Sequence, residues 1–497
     1  MSNRTSGSAL VLALCLLPSP VLAQRWNVGL SARGAVIEAI SPGEPSPGAP
    51  TVLLIGGLDA SADSAETVLD AYQESGTRPF RLIAIPMANP DASPLRFPPE
   101  GAAYRENPES HALWRWIGVH APDLVLVAGE EDFGLTEALS TRDVAGIGSI
   151  PARRVPNLDA NSLDALPDTI PPSDARTEVE RRRRRTPTEV ARELARIYGH
   201  DFNQVTYLPG MALIARMRIG ETDDVGRLAA PYVETRPAIR SSLNIAGHLV
   251  FAELAERTGD ARYLALARSA ADMGFDAAGE MLEAMPFHNE MSDAYFMAGP
   301  ILARTGRLTG ETRYFDMAAR HIEFMEALVL RPDGLYRHSP LTEAAWSRGN
   351  AFPALGLALT LSDFPESHPA FPDLLATFRD HMETLAEFQD ADGMWSEVID
   401  HPGSYAELSS TAMIATAMLR GIGNGWLDAG DYQHRVEAAW TAVLARTGSD
   451  GTLIDVCEST NKQPTLEAYL DRAAILGRDE RGGGMILVFA TEMAGME

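Results

Sequence analysis

The chain has 497 residues, which is too long for one ordinary hydrophobic core, so we expect two domains. Hydrophobic residues at 45% and charged residues at 22% are typical of a soluble globular protein. The net charge of −26 argues against anionic partners such as nucleic acid and acidic membrane surfaces. A small anionic substrate is still compatible with this charge, but it needs a local cationic contact.

The first residues predict a secretory signal peptide over residues 1–23. Arg4 precedes an apolar run over residues 9–17, and Val21-Leu22-Ala23 is a small-residue cleavage site. The run is too short to persist as a membrane-spanning helix, and no other stretch is long and apolar enough for one. We therefore expect an exported protein, periplasmic or extracellular, without a membrane span.

Cysteine use is sparse for an exported protein. Cys15 lies inside the predicted signal peptide, so the mature chain would keep only Cys457 and form no intramolecular disulfide. A lipoprotein site at Cys15 is a weaker alternative, because Leu14 is bulky and the apolar run continues past the cysteine.

Residues 24–155 predict a small α/β domain. Short apolar runs bounded by Gly, Pro and Asp are typical of strands, and helical stretches lie between several of them. The strand-like runs span residues 36–40, 51–55, 81–85 and 123–127, and the helical stretches lie near residues 65–72 and 108–119. This alternation indicates a largely parallel sheet. Gly56-Gly57-Leu58-Asp59 follows one strand, at the edge where open α/β sheets place their sites.

Three motifs of this domain resemble the N-terminal half of the zinc carboxypeptidase family. They are Gly29-Leu30-Ser31 with Gly34, the Gly56-Gly57 turn, and Asn89-Pro90-Asp91. That family carries a metal-binding His directly after the Gly-Gly turn and a Glu three residues on, where this chain has Asp59 and Ala62. The resemblance therefore implies a degenerate, truncated relative without peptidase chemistry, because too few ligands remain for zinc.

No metal and no cofactor are predicted for the chain. A later metal-binding His of the carboxypeptidase family is also absent from residues 125–129. The acidic run over residues 130–132 is interpreted as a solvated loop rather than a metal cluster.

Residues 156–187 have the Pro-, Asp-, Ser- and Arg-rich composition of a linker. The basic run Arg181–Arg185 is flanked by acids, including Glu178 and Glu180. A solvated linker or helix face is therefore favoured over a patch that binds a polyanion.

Residues 188–497 show long amphipathic helices with internal repeats. Thr-Gly-Asp-Ala-Arg-Tyr at residues 258–263 recurs as Thr-Gly-Glu-Thr-Arg-Tyr at residues 309–314, and Asp-Gly turns begin at Asp333, Asp392 and Asp450. Helical hairpins of this length cannot bury their apolar faces singly and must stack. Six of them fit into this part, which predicts a mainly α fold, an (α/α)6 toroid whose rim loops line a central funnel.

A series of short motifs follows in order along this part of the chain. They are Asp293 with Tyr295 and Met297; Gly334-Leu335-Tyr336 with His338; Trp346, Arg348, Gly349 and Asn350; residues 392–395, 404–409 and 411–413; and Gly482 and Gly484 with Glu492. Together they resemble glycoside hydrolase families 88 and 105, the unsaturated uronyl hydrolases, and family 105 more closely. Each motif alone is a weak signal, whereas their order is specific.

The resemblance implies a hydrolase that removes a 4,5-unsaturated uronic acid from the non-reducing end of lyase-generated oligosaccharides. In that reaction an acid protonates C4 of the enol-ether double bond, water adds at C5, and the hemiketal opens and expels the remaining chain. The resemblance implies that Asp293, in the family's Asp-containing motif, is the catalytic acid, and its apolar neighbours Met291, Phe296 and Met297 would suit a protonated carboxyl. A helix N-cap is the structural alternative for this residue.

The other predicted site residues would bind the anionic oligosaccharide. Arg348 is the expected anchor of the uronate carboxylate, since a planar guanidinium binds a carboxylate through two parallel hydrogen bonds. Trp346 would offer a flat face to a sugar ring, with a core position as its alternative. His338 would bind a hydroxyl or the water, and a structural role is nearly as favoured. The further candidates are His288, Asn350, Tyr405, Ser242 and Asn244.

One departure from the family pattern bears on the chemistry. The family's earlier aspartate has no counterpart in residues 241–247, where Ser242 or Asn244 takes its place, and neither can act as a base. The substrate or the strength of the activity is therefore expected to differ from the typical member. A non-catalytic carbohydrate-binding protein and an exo-glycosidase of other specificity are the alternatives. The source polysaccharide, the oligomeric state and the role of the N-terminal domain are left open.

Overall fold

The computed structural model of the protein describes residues 24–41, 48–76 and 78–495. The predicted signal peptide with Cys15 lies outside the described residues. None of the helices formed by the described residues combines the length and the apolar character needed to cross a bilayer.

Strands and helices alternate in the first third of the described chain, and helices dominate the rest. The strands are β1 (Gln24–Leu30), β2 (Val36–Ser41), β3 (Thr51–Ile55), β4 (Arg81–Ile85), β5 (Leu124–Val127), β6 (Ala152–Arg154), β7 (Leu453–Cys457) and β8 (Ala474–Gly477). The helices are α1 (Ala62–Gln73), α2 (Pro108–His120), α3 (Leu135–Thr141), α4 (Ala160–Asp164), α5 (Asp174–Arg183), α6 (Pro187–Ala195), α7 (Tyr207–Arg218), α8 (Thr222–Ala229), α9 (Pro231–Thr235), α10 (Ser242–Gly247), α11 (Leu249–Thr258), α12 (Ala261–Ala271), α13 (Ala294–Thr309), α14 (Arg313–Val329), α15 (Ser347–Asp363), α16 (Phe371–Glu387), α17 (Leu408–Gly423), α18 (Ala429–Arg446), α19 (Leu466–Leu470) and α20 (Glu480–Met493).

A six-stranded sheet organises the N-terminal region, in the order β1-β2-β4-β3-β5-β6. β3 pairs in parallel with β4 and β5, and β5 pairs in parallel with β6, whereas β1 and β2 form an antiparallel edge. Alternate residues of β3 enter the apolar layers on the two faces of the sheet, Val52 under α1 and Leu53 under α2. The predicted α/β layer is thus confirmed. The resemblance to zinc carboxypeptidases stays a prediction.

The segment predicted to be a linker is ordered by helices α4 and α5. Two arginines of its basic run are buried. Arg182 donates a hydrogen bond to the carbonyl of Ala445 at 3.1 Å, and Arg185 donates one to the carbonyl of Leu444 at 3.2 Å. The solvated interpretation was wrong for these two residues. Their guanidinium groups meet carbonyls at the C-terminal end of α18, where positive charge is favoured.

Residues 187–493, all of which are described, form two concentric rings of helices. The inner ring runs α7, α10–α11, α13, α15, α17 and α20, and it closes because α20 packs against α7. The outer ring is α8–α9, α12, α14, α16, α18 and α6. Its last member packs against α20, so the sixth hairpin joins the two ends of the toroid. The predicted (α/α)6 toroid is confirmed.

The repeated motifs mark equivalent turns of the toroid. Gly259 and Gly310 follow inner helices in the left-handed conformation, with φ of 71° and 73°. The Asp-Gly turns place Gly334, Gly393 and Gly451 at φ of 84°, 86° and 81°, each ahead of an inner helix. The Asp-Gly turns therefore lie on the rim where inner helices begin, as predicted.

Helix α2 joins the sheet to the toroid. Its residues 109–119 are all buried, as in a helix that is packed on every side. The apolar cluster around it includes Ala445 and Ile454 of the toroid. The N-terminal region and the toroid therefore share a continuous apolar cluster.

Candidate active site

The candidate site lies at the rim where the inner helices begin. Residues 272–293, 330–346, 388–407 and 447–479 precede α13, α15, α17 and α20 and supply the rim loops. Unpaired N–H groups give each helix N-terminus a partial positive charge. A ring of such ends favours an anionic ligand in the funnel, against the negative charge of the whole chain.

Asp293 directly precedes α13. It occupies the N-cap position, as the structural alternative predicted, but its side chain makes no capping hydrogen bond. Its Oδ1 atom lies 3.3 Å from Nε2 of His338, and its side chain keeps 15% of its exposure. Phe296 and Met297 are buried in the core of the toroid. The carboxyl group is thus accessible from one side and faces an imidazole on the other.

His338 is held from behind by a tyrosine. Its Nδ1 atom lies 2.8 Å from the hydroxyl of Tyr469, and that hydroxyl accepts a hydrogen bond from the backbone N–H of Gln463 at 3.0 Å. The hydroxyl proton is then free to be donated to Nδ1, which leaves the N–H of a neutral imidazole on Nε2. This arrangement leaves the N–H of Nε2 on the side of the ring that lies 3.3 Å from Oδ1 of Asp293.

Gly349 permits the close approach of three site residues. A Cβ atom at this position would lie 3.0 Å from Oγ of Ser292, 3.2 Å from the indole of Trp346 and 3.4 Å from the ring of His338. Any larger residue would push these groups apart. The glycine of the Trp-x-Arg-Gly-Asn motif is therefore a packing requirement of the site.

The loop ahead of Asp293 has a strained backbone. Phe287, Asn289 and Glu290 have φ of 64°, 51° and 59°, a left-handed conformation that costs energy for residues other than glycine. His288 lies among them, half-buried, and its Nδ1 atom accepts from the N–H of Glu290 at 3.0 Å. Such strain persists only where surrounding contacts hold it.

Two contacts hold this loop. Buried His321 of α14 accepts from the N–H of Met285 at 3.2 Å and lies 3.1 Å from the carbonyl of Ala294 through its other ring nitrogen. Burial lowers the pKa of His321 to about 4, so the ring stays neutral and keeps both bonds. Lys462 reaches across from the loop after β7 and donates to the carbonyl of Asn289 at 3.0 Å.

Arg348 is 3% exposed and is largely bound to the protein. It donates to Oγ of Ser409 at 3.2 Å and to the carbonyls of Cys457 and Glu458, each at 2.9 Å. Its guanidinium carbon lies 4.7 Å from the ring centre of Trp346. These bonds use three of its five N–H donors and fix the plane of the group, so its role as an anchor depends on the donors that remain.

Trp346 supports the site from within. It is 1% exposed, and its indole lies against the ring of His338 at 4.6 Å and the guanidinium of Arg348. The predicted sugar-stacking face is therefore covered, and the core alternative describes this residue. Its buried position orders the two groups that flank it.

Two further predicted contacts are also buried. Asn350 donates both amide N–H bonds to the carbonyls of Tyr336 and Trp346 and accepts from the N–H of Tyr336, so it pins the Gly-Leu-Tyr turn to α15. Tyr405 is 5% exposed and stacks on Tyr104 of the N-terminal domain at 4.4 Å. Asn350 thus has a structural role, and the stacking on Tyr104 covers one face of the Tyr405 ring.

Ser242 and Asn244 lie in the first turn of α10, which packs against α13. Asn244 accepts from the hydroxyl of Ser241 at 2.9 Å and donates to the carbonyl of Val205 at 2.9 Å, so its amide is used to start the helix. Ser242 is 5% exposed. This turn contains no carboxylate, in agreement with the sequence.

Sequence reasoning missed a buried acid close to Arg348. Glu397 is fully buried, and burial, followed by the charge of Glu407, raises its pKa well above its ordinary value. Its Oε1 atom lies 3.9 Å from the thiol of Cys457. The feature of the sequence that could have indicated Glu397 is its position as an acidic residue inside the apolar run over residues 394–399.

In the immediate surroundings of Asp293 and His338, four buried polar atoms have no hydrogen-bond partner among the described residues. They are Ser292 Oγ, Asp293 Oδ1, His338 Nε2 and Trp346 Nε1. Asp293 Oδ1 and His338 Nε2 are among them because their 3.3 Å contact falls outside hydrogen-bond geometry. Buried polar atoms are normally paired with protein, water or a ligand. Their grouping marks the place where a polar ligand would fit.

The sequence model of Glycosyl Hydrolase Family 88 matches residues 231–497, more than half of the chain. The chain belongs to Glycosyl Hydrolase Family 88. The match covers every site residue described above and begins at α9, so the N-terminal sheet lies outside the family 88 match.

Curated relatives cover part of the toroid. The unsaturated rhamnogalacturonyl hydrolase YesR of Bacillus subtilis is 30% identical over 186 residues, which are 36% of this chain and 52% of the relative. An unsaturated 3S-rhamnoglycuronyl hydrolase of Formosa agariphila is 31% identical over 179 residues, 32% of this chain and 47% of the relative. The chain thus spans about half the length of the curated relatives it matches.

Solved structures share the fold. A possible member of family 105 from Klebsiella pneumoniae has a TM-score of 0.53 and 22% identity, covering 66% of this chain and 95% of that protein. Another from Salmonella enterica has a TM-score of 0.52 and 20% identity, covering 67% and 97%. At this identity the likeness establishes the toroid of family 88 and nothing finer.

Proposed function

We propose that the protein removes a 4,5-unsaturated uronic acid from the non-reducing end of lyase-generated oligosaccharides. Membership of family 88 supports this, together with relatives named as unsaturated rhamnogalacturonyl and 3S-rhamnoglycuronyl hydrolases. The observation that carries it is the partly accessible carboxyl of Asp293 beside His338, within a group of unpartnered buried polar atoms.

Asp293 acts first as the acid and then as the base. Its carboxyl proton passes to C4 of the enol-ether double bond, and the cation that develops at C5 is captured by water. The same carboxylate takes the proton that this water releases, and the resulting hemiketal opens and expels the rest of the chain. His338 Nε2–H, 3.3 Å from Oδ1, stabilises the carboxylate between the two steps.

The substrate carboxylate is held by charge on the rim. Arg348 keeps two N–H donors beyond those used by the protein, and a guanidinium fixed in one plane loses little entropy on binding. The inner-helix N-termini add to the attraction. The charge of Arg348 is paired with buried Glu407 at 3.7 Å, so the helix N-termini supply the attraction that offsets the long-range repulsion from a chain of net charge −26.

The test of the catalytic role uses Asp293→Asn, with Asp316→Asn as the matched control. Asp316 lies in the first turn of the outer helix α14, and its side chain is 48% exposed. Loss of the enol-ether ultraviolet absorbance is followed with unsaturated disaccharides from several lyases. We expect kcat/KM to fall about 10²- to 10⁴-fold in Asp293→Asn and to stay unchanged in the control, because only Asp293 transfers the proton.

A non-catalytic binding function is the second candidate, and the absence of a carboxylate at Ser242 and Asn244 favours it. It predicts that the wild type binds unsaturated disaccharides in calorimetry without consuming the double bond. Turnover that survives intact in Asp293→Asn would contradict the assignment of the acid.

A further inference from the structure

The N-terminal domain contacts the toroid beside the strand that fixes Arg348. Tyr104 and Arg115 both donate to Oδ1 of Asp455 in β7, at 3.1 and 2.5 Å. Arg115 also donates to the carbonyl of Ala474 in β8 at 3.1 Å. A two-stranded ribbon is only marginally stable alone, and the β7–β8 pair is supported both by helix α17 of the toroid and by these N-terminal side chains.

Asp455 is the point at which this support acts. It is 4% exposed, has φ of 68° and lies at an irregularity in the pairing of β7 with β8. A left-handed aspartate within a strand persists only where its surroundings hold it, and a buried carboxylate needs its cation. Arg115, itself buried, meets both requirements, so the N-terminal domain fixes the path of β7.

The fixed part of β7 leads directly to the bonds of Arg348. Two residues beyond Asp455, the carbonyl of Cys457 accepts from Arg348, and the carbonyl of Glu458 accepts the next bond. Arg105 reaches the side chain of Glu458 at 3.4 Å. The segment over residues 104–115 therefore contacts the strand on both sides of Cys457.

We propose that the N-terminal domain positions Arg348 for the substrate carboxylate, acting through Asp455 and the carbonyls at the end of β7. This inference rests on the proposed function, in which Arg348 anchors the carboxylate. Tyr104, Arg105 and Arg115 are positioning residues, because they do not contact the reacting atoms. The family 88 match begins at residue 231 and does not include these residues.

The test combines Tyr104→Phe with Arg115→Lys. These changes remove the hydrogen bond from Tyr104 and the guanidinium that bonds both Asp455 and Ala474, but they keep the aromatic stack on Tyr405 and a cation beside Asp455, so folding is preserved. We expect KM for an unsaturated disaccharide to rise about tenfold with kcat within about twofold, since the hydrogen bonds to the carboxylate weaken. The inhibition constant of its methyl ester should not change, because the ester carries no charge for Arg348 to hold.

The matched control is His120→Gln. His120 lies 3.0 Å from Asp392 across the same interface, and its hydrogen-bond and ring partners among the described residues are Trp116, Asp392 and Trp26, which lie outside β7 and β8. Neither KM nor the inhibition constant should change. The proposal would be overturned if the double variant bound the unsaturated disaccharide and its methyl ester more weakly to the same extent. It would also be overturned if the binding of neither compound changed.

A crystal structure of the double variant separates this inference from the proposed function. Lengthening of the 2.9 Å bonds from Arg348 to the carbonyls of Cys457 and Glu458 supports positioning, and unchanged bonds refute it. Failure of the wild type to consume any unsaturated disaccharide would refute the proposed function alone, and the two bond lengths would still decide the inference.

Discussion

Two buried glutamates near Arg348 differ in their surroundings. Glu407 accepts hydrogen bonds from the N–H groups of Ser409, Ser410 and Cys457. Glu397 has only the thiol contact, and its Oε2 atom has no partner among the described residues. Burial and the neighbouring Glu407 therefore hold Glu397 in its neutral, protonated form, with a raised pKa.

This difference predicts that the gap in stability between the wild type and Glu397→Gln depends on pH. Above about pH 4.5 the unfolded chain ionises Glu397 while the folded protein keeps the proton, so the wild type loses up to about 1.4 kcal/mol per pH unit. Glutamine cannot ionise and resembles the neutral acid in shape. Calorimetric midpoints of the two proteins should therefore agree near pH 4, and the variant should become the more stable one as pH rises towards 8.

Glu343→Gln is the control for this titration, because Glu343 pairs with Arg337 at the surface and its side chain is 67% exposed. Its stability should follow that of the wild type at every pH. Parallel curves for Glu397→Gln and the wild type would show that Glu397 is ionised in the folded protein.

At the scale of single elements, local chemistry made the helical hairpins predictable. The paired motifs at residues 258–263 and 309–314 both end a helix with a left-handed glycine, and such turns depend on neighbours in sequence. The Asp293–His338 pair was foreseeable only as two members of an ordered motif series. The strained loop between Phe287 and Glu290 could not be predicted from neighbouring residues in the sequence, since its conformation is imposed by distant contacts with His321 and Lys462.

The strained loop leads to the next prediction. Lys462 is bonded to the carbonyl of Asn289 and lies 3.1 Å from Oε2 of Glu290, two residues that each store about 1–3 kcal/mol of backbone strain. In Lys462→Met the loop should relax and misplace Asp293, so we expect kcat to fall about tenfold. The melting temperature should change little, because an exposed ion pair contributes only about 0–1 kcal/mol.

Lys462→Arg provides the comparison, since it keeps a positive charge on a long stem and should restore much of the lost kcat. Progress curves on one unsaturated disaccharide compare the three proteins. An unchanged kcat in Lys462→Met would show that the loop holds its shape without this contact.

At the scale of the whole molecule, the sequence separated an α/β part from a toroid but gave no sign of how the two meet. The hydrogen bond from Tyr104 to Asp455 joins residues that are 351 positions apart, and no periodicity encodes such a contact. The same applies to the buried guanidinium groups of Arg182 and Arg185, which lie in a segment whose composition suggested a solvated linker. Long-range burial of polar groups is what a single sequence conceals.

The opposite mouth of the toroid has its own electrostatics. A cavity of about 530 Å³ lies where the inner helices end, and ion-paired arginines and carboxylates line it. Arg304 is bound there to Glu253 at 3.0 Å, to Glu256 at 2.8 Å and to Asp363 at 2.5 Å. Converging C-terminal ends carry partial negative charge, so cations at this mouth stabilise the closed ring.

This arrangement predicts that Arg304→Met lowers the free energy of unfolding but leaves the activity nearly unchanged. The change removes the cation shared by Glu253, Glu256 and Asp363, so unfolding in urea should require about 3 kcal/mol less. Arg304 lies about 16 Å along α13 from Asp293, so kcat/KM should stay within about twofold. Arg262→Met, which breaks an exposed pair with Asp260 on the outer surface, should leave the free energy of unfolding nearly unchanged. Equal effects of the two changes would show that the network at this mouth adds nothing to closure of the ring.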